Sequence, residues 1–174
     1  MYKAKGFTLI ELMITLAILG VILGLAVPAM SDFVVRQRVD SQAKELMLTL
    51  AFARSEAVKQ GQDIAILPAT NSATGWTNGW CAGPVANMTN CQDDDRLRTF
   101  SAVKTVDISS SFLQSGAGVV LFFKRDGTCP NCSSSESLRI TSTKLKANDN
   151  GARCIAITRT GRATLKNVNR DEAC

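Results

Sequence analysis

The sequence predicts an α+β protein: one long N-terminal α-helix, then an antiparallel β domain built from two packed sheets. Two observations carry this. From Phe7 to Gln60 the chain is first continuously apolar and then apolar at three- and four-residue steps, which is the helical period. Beyond Gly61 that period disappears, and eight short runs are separated by turn residues with no second long helix among them. Parallel strands need crossover helices, so these strands pair antiparallel.

The 174 residues set a ceiling of about one folded unit. A hydrophobic content of 45% is ordinary for a globular chain and excludes wholesale disorder and a polytopic membrane protein. The histidine count is zero. Ser-His-Asp triads, Cys-His nucleophile pairs and His-bearing zinc sites are thereby excluded. With no paired acids, phosphate loop or other nucleophile motif, the sequence indicates no enzyme, no metal and no cofactor.

The first part of the helix reads FTLIELMITLAILGVILGLAVPAM, residues 7–30, with Glu11 as its only charge. At 1.5 Å per residue it is about 36 Å long, enough for a hydrocarbon core of roughly 30 Å. It is longer than the apolar region of a secretory signal peptide, and Ala26-Val27-Pro28-Ala29 is a poor cleavage site for one. A single retained span is expected, with Lys3 and Lys5 on the cytoplasmic side and everything from about Ser31 outside. Gly20 and Gly24 form a G-x-x-x-G, which permits close helix contact and is as readily incidental in so apolar a run.

A carboxylate within such a span costs about 2.5–3.5 kcal/mol on insertion scales. Glu11 either lies near enough to the interface to reach water or has a cationic partner. If the chain were cut between Gly6 and Phe7, the new α-amino group would be such a cation. In an assembly, one subunit's Glu11 would then neutralise another's amino terminus.

Residues 31–61 continue the helix as an amphipathic segment. Val35, Val39, Ala43, Leu46, Met47, Leu50 and Ala57 form one stripe, with Arg36, Gln37, Asp40, Lys44, Lys59 and Gln60 between them. Pro28 is expected to kink the helix and Gly61 to end it, for a total length of roughly 80 Å if straight.

The β domain occupies residues 62–174. Strands are expected at Asp63–Leu67, Gly75–Cys81, Arg96–Phe100, Thr105–Ser109, Val119–Lys124, Leu138–Thr143, Cys154–Arg159 and Ala163–Val168, with the strongest turn signals at Arg125-Asp126-Gly127 and Thr160-Gly161. Its six cysteines lie on the exported side, where disulfides are the default. Six cysteines allow fifteen pairings. Sequence neighbours suggest Cys81 with Cys91, Cys129 with Cys132 and Cys154 with Cys174. Cys129-Pro130-Asn131-Cys132 has the spacing of a redox pair, but Ser133-Ser134-Ser135 supplies no helix to lower a thiol pKa, and a structural turn is the better reading.

Positive charge concentrates at the C-terminal end: residues 139–174 hold eight basic side chains against three acidic ones. The rest of the chain beyond the leader is slightly acidic and includes Asp93-Asp94-Asp95. A solvated surface accounts for such charge. The functional alternative is a phosphate-contacting patch on extracellular DNA made by Arg159, Arg162, Lys166 and Arg170.

Lys5-Gly6-Phe7-Thr8-Leu9-Ile10-Glu11-Leu12-Met13 resembles the leader of type IV pilins and pseudopilins. Ala53-Arg54-Ser55-Glu56-Ala57 at the helix end resembles the FimT/FimU/GspH group of minor pilins, as do the strand and turn from Val120 to Gly127 and the hairpin from Ile155 to Arg162. The resemblance implies a type IV pilin-like fold. It implies that residues 1–6 are a leader removed by prepilin peptidase between Gly6 and Phe7, that Phe7 becomes the N-methylated terminus, and that Glu11 serves subunit docking. It further implies insertion in the inner membrane with the N-terminus cytoplasmic and the β domain periplasmic, followed by assembly with other major and minor pilins or pseudopilins. The function expected is a minor pilin that primes type IV pilus assembly near the filament tip, in twitching motility, adhesion or DNA uptake. The alternatives are a GspH-like pseudopilin of type II secretion and a pilus-tip DNA receptor. Some FimT-like proteins bind DNA through Gly-Arg-x-Arg; Gly161-Arg162-Ala163-Thr164 retains the first arginine only, with Arg159 and Lys166 on the same hairpin.

Overall fold

The computed structural model describes residues 6–174 except 71, 73, 111–120 and 134–136, and leaves out the side chains of 25–29 within the helix. Residues 1–5 of the expected leader, with Lys3 and Lys5, the start of the strand expected at Val119 and part of the Ser133-Ser134-Ser135 loop therefore lie outside the described residues. The chain divides into two compact units, 1–34 and 35–174. Helix α1, Leu9–Gln60, contributes to both.

In the first unit the apolar side chains point outward all round the helix: Leu9, Ile10, Leu12, Met13, Ile14 and Val21 are each more than half exposed within the chain. A helix apolar on every face needs lipid or other helices around it. Among the described residues no helix is long and apolar enough to cross a membrane. The expected span of 7–30 takes in residues 25–29, and the apolar stretch with described side chains runs from 9 to 24.

The second unit begins at Val35, and the amphipathic half of α1 supplies part of its core. Val39, Ala43, Leu46, Leu50, Ala53 and Ala57 are all buried. They pack in one cluster with residues from both sheets, among them Trp80, Phe123, Ile140 and Ile155. Burial of each large side chain contributes about 1.5–3 kcal/mol, so this stripe fixes the helix to the sheets. At the helix end Gly61 takes φ +65°, the left-handed C′ conformation that stops a helix.

Among the described residues eight strands form two four-stranded sheets, with every pairing antiparallel. One contains β1 (Ile64–Pro68), β2 (Trp80–Pro84), β3 (Arg98–Phe100) and β5 (Leu121–Phe123), in the order β3-β2-β1-β5. The other contains β4 (Asp107–Ser110), β6 (Ser137–Thr141), β7 (Ala152–Ile157) and β8 (Ala163–Val168), in the order β4-β6-β7-β8.

Strand alternation sends alternate residues to opposite faces. Ile64 and Ile66 enter the central cluster, while Ala65 and Leu67 meet Cys81 and Met88 on the outer face. The outer faces are small, and disulfides close them. Cys81 bonds Cys91 over the first sheet, and Cys154 bonds the C-terminal Cys174 over the second, beside Ala152 and Val168.

One expected strand is displaced. Gly75–Asn78 forms a short 3₁₀ helix, and β2 begins only at Trp80. Thr77 accounts for this: its hydroxyl accepts from Ile108 N at 3.0 Å, so the segment is tied through a side chain to β4 and not through a backbone ladder.

Polar ties hold α1 to the second sheet and its loops. Asp40 pairs with Arg153 of β7 at 3.2 Å, and Arg36 with Asp149 at 3.1 Å. Deeper in, the Trp80 indole donates to Thr49 Oγ1 at 3.0 Å, and that hydroxyl donates to Glu45 O at 2.9 Å. The fully buried Thr49 thus satisfies a tryptophan from the sheet.

Candidate functional site

At the N-terminus, Gly6, Phe7 and Thr8 precede the helix and are exposed. Thr8 is the N-cap. Its backbone N–H and hydroxyl both donate to Glu11 Oε2, at 3.2 and 3.1 Å, while Glu11 N donates to Thr8 Oγ1 at 3.3 Å. This is a capping box, in which the carboxylate also sits at the positive end of the helix dipole. Glu11 therefore has a task within its own chain that the charge-pair reading of the sequence did not include. The signal was present as Thr-x-x-Glu at the start of an apolar run. It places the Gly6–Phe7 bond in non-helical, accessible backbone just outside the first turn.

The buried Cys129 is bonded to Cys132, which is likewise buried. Both lie in the central cluster, out of reach of an external substrate, and the segment between them is a turn. This geometry makes the motif a clasp in the core. Among the described residues there is no group of three or more metal-ligating side chains.

Three segments far apart in sequence meet at the end of α1. The turn after β5 is closed by Gly127 N to Lys124 O at 2.7 Å, and Asp126 accepts from Thr128 N and Oγ1 at 2.8 and 2.6 Å. The Thr128 hydroxyl, followed by its N–H, holds the Asp126 carboxyl below its ordinary pKa. The turn between β7 and β8 is closed by Gly161 N to Thr158 O at 2.9 Å, and Cys129 N reaches across to Arg159 O at 2.9 Å. Gly127 and Gly161 both have positive φ, +78° and +74°. A Cβ on Gly161 would run into the Gly127 carbonyl oxygen and stand 3.1 Å from Arg54 Nε; one on Gly127 would stand 3.2 Å from the same atom. The Arg54 side chain of Ala53-Arg54-Ser55-Glu56-Ala57 is thus seated against both turns. Arg54 itself stays exposed, and nothing in the local sequence signals its closeness to the two turns.

The four basic candidates of the C-terminal region are spread along the β7–β8 hairpin and its tail. Arg159 and Arg162 flank the β7–β8 turn and are exposed, and Lys166 is exposed midway along the edge strand β8, opposite Cys154. Arg170 lies beyond the far end of β8 and is occupied. It donates to Leu145 O at 2.7 Å and to Asp171 at 2.9 Å, and its carbonyl accepts from Arg139. Asp171 has its pKa lowered chiefly by the Arg170 hydrogen bond.

A long helix whose end packs into a disulfide-clasped, two-sheet β domain, led by an accessible Gly-Phe bond and a capped Glu, defines the type IV pilin-like class. The comparisons agree. The family described as type II transport protein GspH matches residues 42–161, and the prokaryotic N-terminal methylation motif matches residues 1–27. The chain is similar to a fimbrial protein of Pseudomonas aeruginosa, 31% identical over 76% of this chain and 86% of that one. It is also similar to fimbrial protein EcpC of Eikenella corrodens, 44% identical over 41% of this chain and 44% of that one. Two crystal structures of the type IV minor pilin FimU of Pseudomonas aeruginosa, each 26% identical, superpose with TM-scores of 0.56 and 0.59 over 73% and 77% of this chain and 91% and 92% of theirs. The chain belongs to the GspH and type IV minor pilin family, whose members are structural and not enzymatic.

Proposed function

We propose that the chain is a minor pilin of a type IV pilus that joins other pilins in a complex priming assembly near the filament tip. The observation that supports this reading most is the likeness to FimU, which takes in nine-tenths of that minor pilin. The chain is inserted in the inner membrane through residues 7–30, N-terminus inside, with the β domain in the periplasm. Prepilin peptidase cuts between Gly6 and Phe7, and Phe7 is methylated. Thr8 occupies one oxygen of Glu11, leaving Oε1 for the amino terminus of a neighbouring subunit. The apolar collar of exposed side chains around α1 gives neighbouring helices their packing surface. A chromosomal deletion tests the proposal. Loss of twitching or DNA uptake with protein secretion intact is expected, whereas loss of secretion with intact pili overturns it.

That second outcome belongs to a GspH-like pseudopilin of a type II secretion system, a reading favoured by the match of that family to residues 42–161.

A further inference from the structure

The outer side of α1 and the β7–β8 turn enclose a surface groove of about 610 Å³. Met47, Ala51, Val58 and Ala163 give it an apolar floor, and Arg54, Lys59 and Arg162 stand around it. Val58 is 56% exposed, so an apolar surface lies open there. Lys59 is paired with Glu56 at 3.2 Å. Arg54 and Arg162 have no carboxylate partner among the described residues. Arg54 is exposed, and its Nε lies beside the two glycine turns at Gly127 and Gly161, which places its guanidinium at the same end of the groove as Arg162.

We infer that this groove docks a segment of a neighbouring filament subunit that carries a carboxylate beside an apolar side chain. The carboxylate bridges Arg54 and Arg162, where charge-assisted and bidentate hydrogen bonds are available, and the apolar group covers Val58, Ala51 and Ala163. Charge complementarity selects the acid, and the floor selects a protein over a nucleic acid. A phosphate backbone leaves an apolar floor uncovered, and among the described residues no aromatic side chain lines the groove to stack a base. This inference rests on the filament reading above and adds the chemistry of one contact within it.

The test uses the full chain in cells that assemble the filament. A photo-crosslinking residue replaces Ser55, which lines the groove and is exposed. The expected result is a covalent link to an acidic, apolar-flanked segment of another pilin-family subunit, mapped by mass spectrometry. Arg162→Glu, at an exposed position, is expected to reduce its yield by about tenfold, and Lys at the captured acid to restore it. Arg54→Gln serves as a second variant: it removes the guanidinium and its charge while keeping a polar atom at the position of Nε beside the two turns, and it is expected to reduce the yield as Arg162→Glu does. A link to nucleic acid, no link although the chain is in sheared filaments, or a link indifferent to Arg162→Glu overturns the docking site and leaves the filament reading standing. Absence of the chain from both pili and pseudopili defeats the filament reading, and this site's partner with it.

Discussion

Thr49 shows how much one buried hydroxyl decides. It takes the Trp80 N–H and returns its own proton to Glu45 O, so Thr49→Val removes the acceptor while preserving shape. The orphaned indole is expected to cost about 1–3 kcal/mol, read as a lower midpoint in urea unfolding followed by tryptophan fluorescence. An unchanged midpoint would show that the bond contributes nothing net. Asp40 gives the corresponding statement for charge. Its pKa is lowered, first by the Lys44 hydrogen bond and also by Arg153, against the opposing effect of burial. A carboxylate with a depressed folded pKa adds stability above its ordinary value near 3.8, and that stability is lost as pH falls through the folded pKa. Asp40→Asn is therefore expected to destabilise by about 1 kcal/mol at pH 7 and to narrow its gap from the parent in acid. Melting temperatures from pH 7 to pH 2 check the sign.

At the scale of elements, the two ends of α1 differ in how far local sequence determines them. Thr8 and Glu11 set the start through a box spelled out in four consecutive residues. Thr8→Ala is expected to weaken that end by about 0.5–2 kcal/mol and to speed amide hydrogen exchange at residues 9–12. Faster exchange confined to the middle of the helix would contradict it. The C-terminal end is long-range: Arg54 rests on turns 73 and 107 residues later in the chain, at Gly127 and Gly161. Gly161→Ala meets both a positive φ and the Gly127 carbonyl, and is expected to destabilise by more than 1 kcal/mol in thermal unfolding. An alanine variant as stable as the parent would show that the turns do not pack as described.

The sequence made β8 legible to the residue, Ala163–Val168, because alternation and the Thr160-Gly161 signal agree there. It misplaced β2, because Trp76 and Trp80 both read as strand residues and the tie from Thr77 to Ile108 lies 31 residues away. The same limit applied to the candidate site. Glu11 was visible as a misplaced charge, whereas the engagement of Arg170 with Leu145 and Asp171, beyond the far end of β8 from Arg159 and Arg162, comes only from the fold. The seat of Arg54 belongs only to the assembled fold.

For the whole molecule, composition averages two unlike parts. The described side chains up to residue 34 bury almost nothing within the chain, while 35–174 enclose a central core with two smaller outer clusters, clasped by three disulfides. A first unit so apolar and uncovered needs apolar surroundings, and the proposed function supplies them as lipid first and other helices after removal of the leader. The central claim is that this is a processed filament subunit, and the mass and N-terminal residue of the protein recovered from cells with an active prepilin peptidase test it most directly. The account predicts a chain that begins at N-methylated Phe7 and occurs in the sheared filament fraction; an intact Met1 in those cells would contradict it.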